Sequence, residues 1–235
     1  MIETGVAQTM EHGTGAHETA MAGPATTARA TTGSATTEIG VNEIGAAIER
    51  VEAAVVRRAG FGVGTSHSVT TLQDGLRCST SEGSWTVESD MSPTFGGGAS
   101  APTPSVLLRA ALGSCMAITY RMRAARYGVE LTSVRVTVET DAELAGMLFC
   151  DSSAPPGYAE VRYHVEVDSP DDADRVLAIL DEGDRLSPVL DVFSRATTVR
   201  RTTDVRQTEH GARFARGRVP SEPGRRTTDI RPSEP

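Results

Sequence analysis

At 235 residues the chain suits one domain with tails, or at most two small domains. A formal charge of −8 argues against general nucleic-acid binding, and aromatic residues at only 4% imply that part of the chain lies outside any core. Three cysteines without a CxxC spacing cannot build a disulfide framework, no secretory pattern opens the chain, and no apolar run approaches the roughly 18 residues a membrane span needs; the expectation is a cytoplasmic protein in a reducing compartment.

Residues 1–37 are rich in Thr, Ala, Gly and Ser and carry no periodicity, so a disordered N-terminal tail is expected. "NEIGAAIERVEAAVVRRAG" then sets Ile44, Ala47, Ile48, Val51, Ala54 and Val55 on one helical face and stops near Gly60. "SVTTLQDGLRCSTSEGSWTVES" reads as two strands joined by a polar turn at 81–83, with Trp85 as a core or interface anchor. "MSPTFGGGASAPTP" reads as a mobile Gly/Pro loop before the next helix that gates a dimer-interface pocket. It holds no GK[ST] and no strand–GxGxxG–helix context, so it is not a phosphate loop.

A long apolar helix comes next, with Pro102 and Pro104 at its start and Gly128 at its end. Two alternating segments succeed it, through Val134, Val136 and Val138 and through Val161, Tyr163, Val165 and Val167, each a half-buried strand. "SPDDADRVLAILDEGDRL" is a helix capped by Ser169 or Asp171, with Val176, Leu177 and Leu180 inward. "ATTVRRTTDV" is a last strand, and 207–235, rich in Arg, Pro and Gly, reads as a solvated, disordered tail. No internal repeat is evident. Hairpins separated by helices indicate an α+β fold, with a mostly antiparallel sheet packed on the long helix.

Cys115 lies at the centre of that helix, with Leu108, Ala111 and Leu112 before it and Ile118, Thr119 and Met122 after it on the same face. With a single charge, Arg109, up to Tyr120, the helix reads as buried on most sides. Composition therefore favours a small buried hydrophobe, because apolar burial disfavours the thiolate and a mid-helix position lacks the N-terminal dipole. A reactive Cys115 needs a nearby arginine, a hydrogen-bonding partner and an opening to solvent. Cys78 and Cys150 read as structural. His67 and His164 stand alone without ligand spacing, and the acidic run at 168–174 lacks EF-hand spacing; no metal and no cofactor are expected.

The segment "PTPSVLLRAALGSCMAITYRMRAARYGVEL", with "FGGGASAPTP" before it and "LSPVLDVF" after it, resembles the OsmC/Ohr family of osmotically induced and organic-hydroperoxide-resistance proteins. The likeness extends from about residue 66 to about residue 203 and divides the chain into a tail (1–37), a helical extension (38–64), an OsmC-like domain (65–206) and a second tail (207–235). It implies an intertwined homodimer with sites at the subunit interface. In peroxidase members a first cysteine on the central helix attacks a hydroperoxide, an arginine and a glutamate activate it, a second cysteine resolves the product, and external thiols reset the enzyme. By this resemblance Cys115 holds the first-cysteine position and Ser187 stands where "CPV" would carry the resolving cysteine. The carboxylate near the helix start is absent, with Ser105 and Val106 in its neighbourhood, and Arg77 is the nearest candidate for the activating arginine.

Two functions stand as expectations. One is a thiol-dependent peroxidase that reduces small organic hydroperoxides through Cys115 and relies on an external thiol. The other is a catalytically degenerate, non-enzymatic dimer that binds a small apolar ligand, with Cys115 as packing. Neither involves a nucleic acid or a membrane.

Overall fold

The computed structural model describes residues 40–148, 150 and 153–205, and the backbone of 225–230. Its elements alternate as the sequence anticipates. The first helix, α1, spans Val41–Arg57 and packs on the long helix α2, Pro104–Tyr127. Contact is closest at Gly45, where an added Cβ would sit 2.7 Å from the Ala125 carbonyl oxygen. Gly45 is therefore the buried residue of α1, whereas Val51 and Val55, expected inward, remain 54% and 52% exposed. Charge completes the docking: Arg126 of α2 pairs with Glu49 at 3.2 Å and Glu52 at 2.8 Å, and Arg123 pairs with Glu52 at 3.6 Å.

Three strands, not two, come after α1: β1 (Val69–Leu72), β2 (Cys78–Glu82) and β3 (Trp85–Ser89), antiparallel in that order. The sequence reading overlooked the turn at Asp74–Gly75, where Gly75 takes a φ of 64° that suits glycine. This sheet makes no substantial contact with the helices, and Val69, Leu72, Trp85 and Val87 are exposed on it. Trp85 is thus not a core residue of the single chain.

The Gly-rich loop before α2 is pinned. Asp90, 3% exposed, accepts hydrogen bonds from the backbone N–H of Met91, Gly98 and Ser100 and from the Ser100 hydroxyl. Those from Ser100, followed by Met91 and Gly98, hold the Asp90 carboxyl below the usual carboxylate range. A depressed folded-state pKa stabilises the loop above the ordinary carboxylate pKa, and that stabilisation is lost as pH falls through the lowered value. Asp90 thus ties the loop at Met91, Gly98 and Ser100 ahead of α2.

Thr103 caps α2 by accepting from the Val106 N–H at 3.4 Å, Pro104 occupies the first turn, and Gly128 ends it at φ 63°. One face of α2 lies on the hairpin of β4 (Ser133–Ala142) and β5 (Tyr158–Asp168), where Val134 pairs with Val167 and Val136 with Val165. A four-residue helix, α3 (Leu144–Met147), lies between these strands. On another side α2 meets α4 (Ala173–Leu186) and α5 (Pro188–Ser194). Asp172, rather than Ser169 or Asp171, caps α4 by accepting from Asp174 and Arg175 N–H.

The core runs along one stripe of α2, Leu112, Met116, Tyr120 and Ala124, and continues through Val129, Leu131, Val176 and Ile179. Fully burying Leu112 or Met116 stabilises the fold by about 1.5–3 kcal/mol each. Ile179 is inward and Leu177, expected inward, is 56% exposed, because α4 is rotated to present Val176 and Ile179 to α2. The expected face of α2 is shifted in the same way: Leu108, Ile118 and Met122 are 43%, 59% and 42% exposed. A single chain covers only the stripe beside them.

A last ribbon pairs β6 (Val199–Asp204) with β7 (Arg225–Ile230). The expectation of a disordered tail over 207–235 is corrected for 225–230, which form a paired strand. The remainder of that tail, and the N-terminal tail, lie outside the described residues. Every strand pairing is antiparallel, so the chain is α+β with an apolar helix on an antiparallel hairpin.

Candidate active site

Cys115 sits midway along α2, beside rather than on the buried stripe, and is only partly buried. The turn between α4 and α5 brings Ser187 to it. Ser187 ends one helix and caps the next, accepting from the Leu190 N–H at 3.4 Å, and its hydroxyl donates to Cys115 Sγ at 3.5 Å. Ser187 is 1% exposed. The two residues singled out on α2 and in "LSPV" are therefore neighbours in space although 72 positions apart.

What fixes this approach is a set of bonds between α2 and α4 that sequence reasoning missed. Tyr120, five residues after the thiol, donates its hydroxyl to Asp184 Oδ1, and Tyr163 of β5 donates to Asp184 Oδ2 at 2.9 Å. Arg123 reaches Glu182 on the same helix. Gly183 lies between these carboxylates, and a Cβ there would fall 2.5 Å from Tyr120 Cδ1. Only "EGD" within an otherwise regular amphipathic helix hints at such a contact, since a glycine in a helix interior costs stability without a packing reason.

Burial, then the bond to Asp184, raises the Tyr120 phenol well above the ordinary tyrosine range, and the same causes push Tyr163 up to about 12. A raised pKa means that the neutral phenol stabilises the folded state fully below pH about 10, and that this is lost as pH rises through the folded value. An alkaline absorbance titration is expected to show these two transitions late, with Tyr163→Phe removing the one near pH 12. Ordinary titration of both phenols in the folded protein would refute the bonds to Asp184.

Arg77 is placed elsewhere. It leads into β2 and pairs with Glu88 at 3.2 Å, within the sheet that makes no substantial contact with the described helices. Cys78 is the first residue of that same strand, Cys150 is exposed, and all three cysteines are free thiols. Among the described residues no cluster of His, Cys, Asp or Glu could hold a metal ion, and no helix is long and apolar enough to cross a membrane. An open groove of about 470 Å³ runs between Ile44, Ala117, Ile118, Arg121, Met122 and Val134, and neither Cys115 nor Ser187 is among its walls.

A partly buried thiol on a central helix, faced by a serine at a helix junction and backed by an antiparallel hairpin, defines a cysteine-bearing α+β domain. Residues 96–201 match the family model described as OsmC-like protein, so this segment carries an OsmC-like domain. Similar solved structures include an OsmC-like protein from Mycoplasma pneumoniae (14% identity, 55% of this chain and 87% of that one, TM-score 0.48). An organic hydroperoxide resistance protein from Elizabethkingia anophelis gives 12% identity over 56% of this chain and 89% of that one, TM-score 0.44. The organic hydroperoxide resistance protein OsmC of Legionella pneumophila gives 15% over 57% and 91%, TM-score 0.43. No curated protein matches the chain.

Proposed function

We propose that the protein is a thiol-dependent peroxidase in which Cys115 reduces small organic hydroperoxides in a one-cysteine cycle. The observation that supports this most directly is the hydrogen bond from Ser187 Oγ to the partly exposed Cys115 Sγ. The bond sets a hydroxyl donor beside the sulfur that would react. The thiolate attacks the distal peroxide oxygen, the O–O bond breaks, and the alkoxide leaves and takes up a proton. Cys115 is then a sulfenic acid. Ser187 has no thiol to condense with it, so an external thiol forms a mixed disulfide and releases water. A second external thiol frees Cys115 and departs as the external disulfide. The balance is one hydroperoxide and two thiols giving alcohol, water and one disulfide.

The working unit in this reading is a cytoplasmic homodimer. The sheet β1–β3 exposes Trp85 and its neighbours and makes no substantial contact with the described helices, and α2 exposes Ile118 and Met122. Arg77 acts on a thiol only where assembly carries this sheet to the α2 helix of a second copy.

Treatment with cumene hydroperoxide is expected to consume one thiol rapidly. Cys115→Ser reduces that loss to the rate seen without peroxide, and Cys78→Ser and Cys150→Ser leave it intact. Ser187→Ala slows it roughly fivefold, the equivalent of a hydrogen bond of about 1 kcal/mol. Equal thiol loss in Cys115→Ser would dismiss the reading. The second function, a non-enzymatic carrier of an apolar ligand, is favoured by the groove beside Ile118 and Met122. It predicts saturable binding of an apolar fluorophore that Ile118→Asp removes, with Cys115 inert to peroxide.

A further inference from the structure

The strands β6 and β7 are near copies of one another: "RRTTDV" occupies 200–205 and "RRTTDI" occupies 225–230. The sequence reading found no repeat, because the two lie apart and outside any periodic array. Their pairing makes the repeat informative. The antiparallel register sets Arg200 opposite Asp229, Thr202 opposite Thr227, Asp204 opposite Arg225 and Val199 opposite Ile230. A ladder of two like strands maps onto itself when the strands are exchanged. The hexapeptide is therefore complementary to itself in register, with an arginine position opposite an aspartate position towards each end and a threonine position on the axis. Opposite charges across a ladder stabilise it and like charges destabilise it.

It follows that β6 meets the same set of residues whether its partner is β7 or the β6 of a second copy. In the second case the pairing is isologous, with Arg200 of each copy opposite Asp204 of the other. β6 is exposed along most of its length, and the ribbon makes no substantial contact with any other described element. Once released from β7, that strand edge is a template for another strand. We propose that β6 is a homotypic docking strand for a second copy of this chain, and that the C-terminal repeat is its cap, holding the same edge in cis. This inference is independent of Cys115 and of any association through the apolar face of α2.

Charge exchange in the full-length protein tests it, read as particle mass by sedimentation at one protein concentration, with circular dichroism to verify folding. R225D/D229R sets like charges opposite each other at both ends of the cis ladder and leaves β6 unaltered; the mass is expected to rise at least twofold over wild type, because each chain of the assembly then offers a released β6 edge to another assembly. Adding D204R to that variant sets arginine against arginine in the β6–β6 ladder and is expected to return the mass to wild type. The fourfold exchange R200D/D204R/R225D/D229R restores the cis complement and is also expected to keep the wild-type mass. An unchanged mass in R225D/D229R, a raised mass that survives D204R, or a raised mass in the fourfold exchange would each overturn the proposal.

Discussion

Ser187→Cys is expected to convert the site to a two-cysteine one. The serine oxygen already lies 3.5 Å from Cys115 Sγ, and a sulfur in its place needs only a small side-chain adjustment to reach the bond length of about 2 Å. One equivalent of hydroperoxide should then remove two thiols, because the Cys115 sulfenic acid condenses with the new thiol and expels water. The cross-link spans a separation of 72 residues, for which the chain-entropy relation sets a ceiling of about 4 kcal/mol on the stability gained. Against this, loss of the serine cap on α5 costs the reduced form about 1 kcal/mol. The oxidised variant should therefore melt above wild type and the reduced variant below it. Peroxide that consumes Cys115 in this variant without forming the disulfide would show that the two positions do not meet in solution.

Gly183→Ala is expected to destabilise the fold through one defined contact. Its Cβ would lie 2.5 Å from a ring carbon of Tyr120, which is 1% exposed and held by Asp184. The ring cannot swing away without breaking that bond, so either α4 or the ring must shift, at about 1–3 kcal/mol. Both movements disturb the helix that delivers Ser187. Denaturant unfolding should show the loss, and peroxide-driven thiol loss should slow with it. In a Tyr120→Leu background the same substitution should cost much less, since the clashing ring is gone. An equal cost in both backgrounds would mean that helix propensity alone, and not the contact with Tyr120, explains the glycine.

Much of the scaffold was legible in the residues. The valine alternation of β4 and β5 survives as cross-strand pairs because one face of a hairpin on a helix must be apolar. The ends of α2 lie where Pro104 and Gly128 place them, since those residues act through local backbone chemistry. The "DG" turn between β1 and β2 was equally local and was overlooked. The faces were harder to read. α2 is apolar nearly all round, so its sequence does not say which stripe the chain covers and which it leaves for another surface; Leu112 and Met116 went in, while Ile118 and Met122 did not.

The sequence by itself determined the α+β order of elements, the position of Cys115 on the central helix and the resemblance of that segment to the OsmC-like domain, because these depend on periodicity, capping and a contiguous motif. Only the tertiary structure decided that Ser187 faces Cys115, that Arg77 pairs with Glu88 across the first sheet, and that two distant RRTTD strands lie side by side. The reason is physical: each is a meeting of residues that are not neighbours in the chain, fixed by how α2, α4 and the strands pack rather than by any local preference.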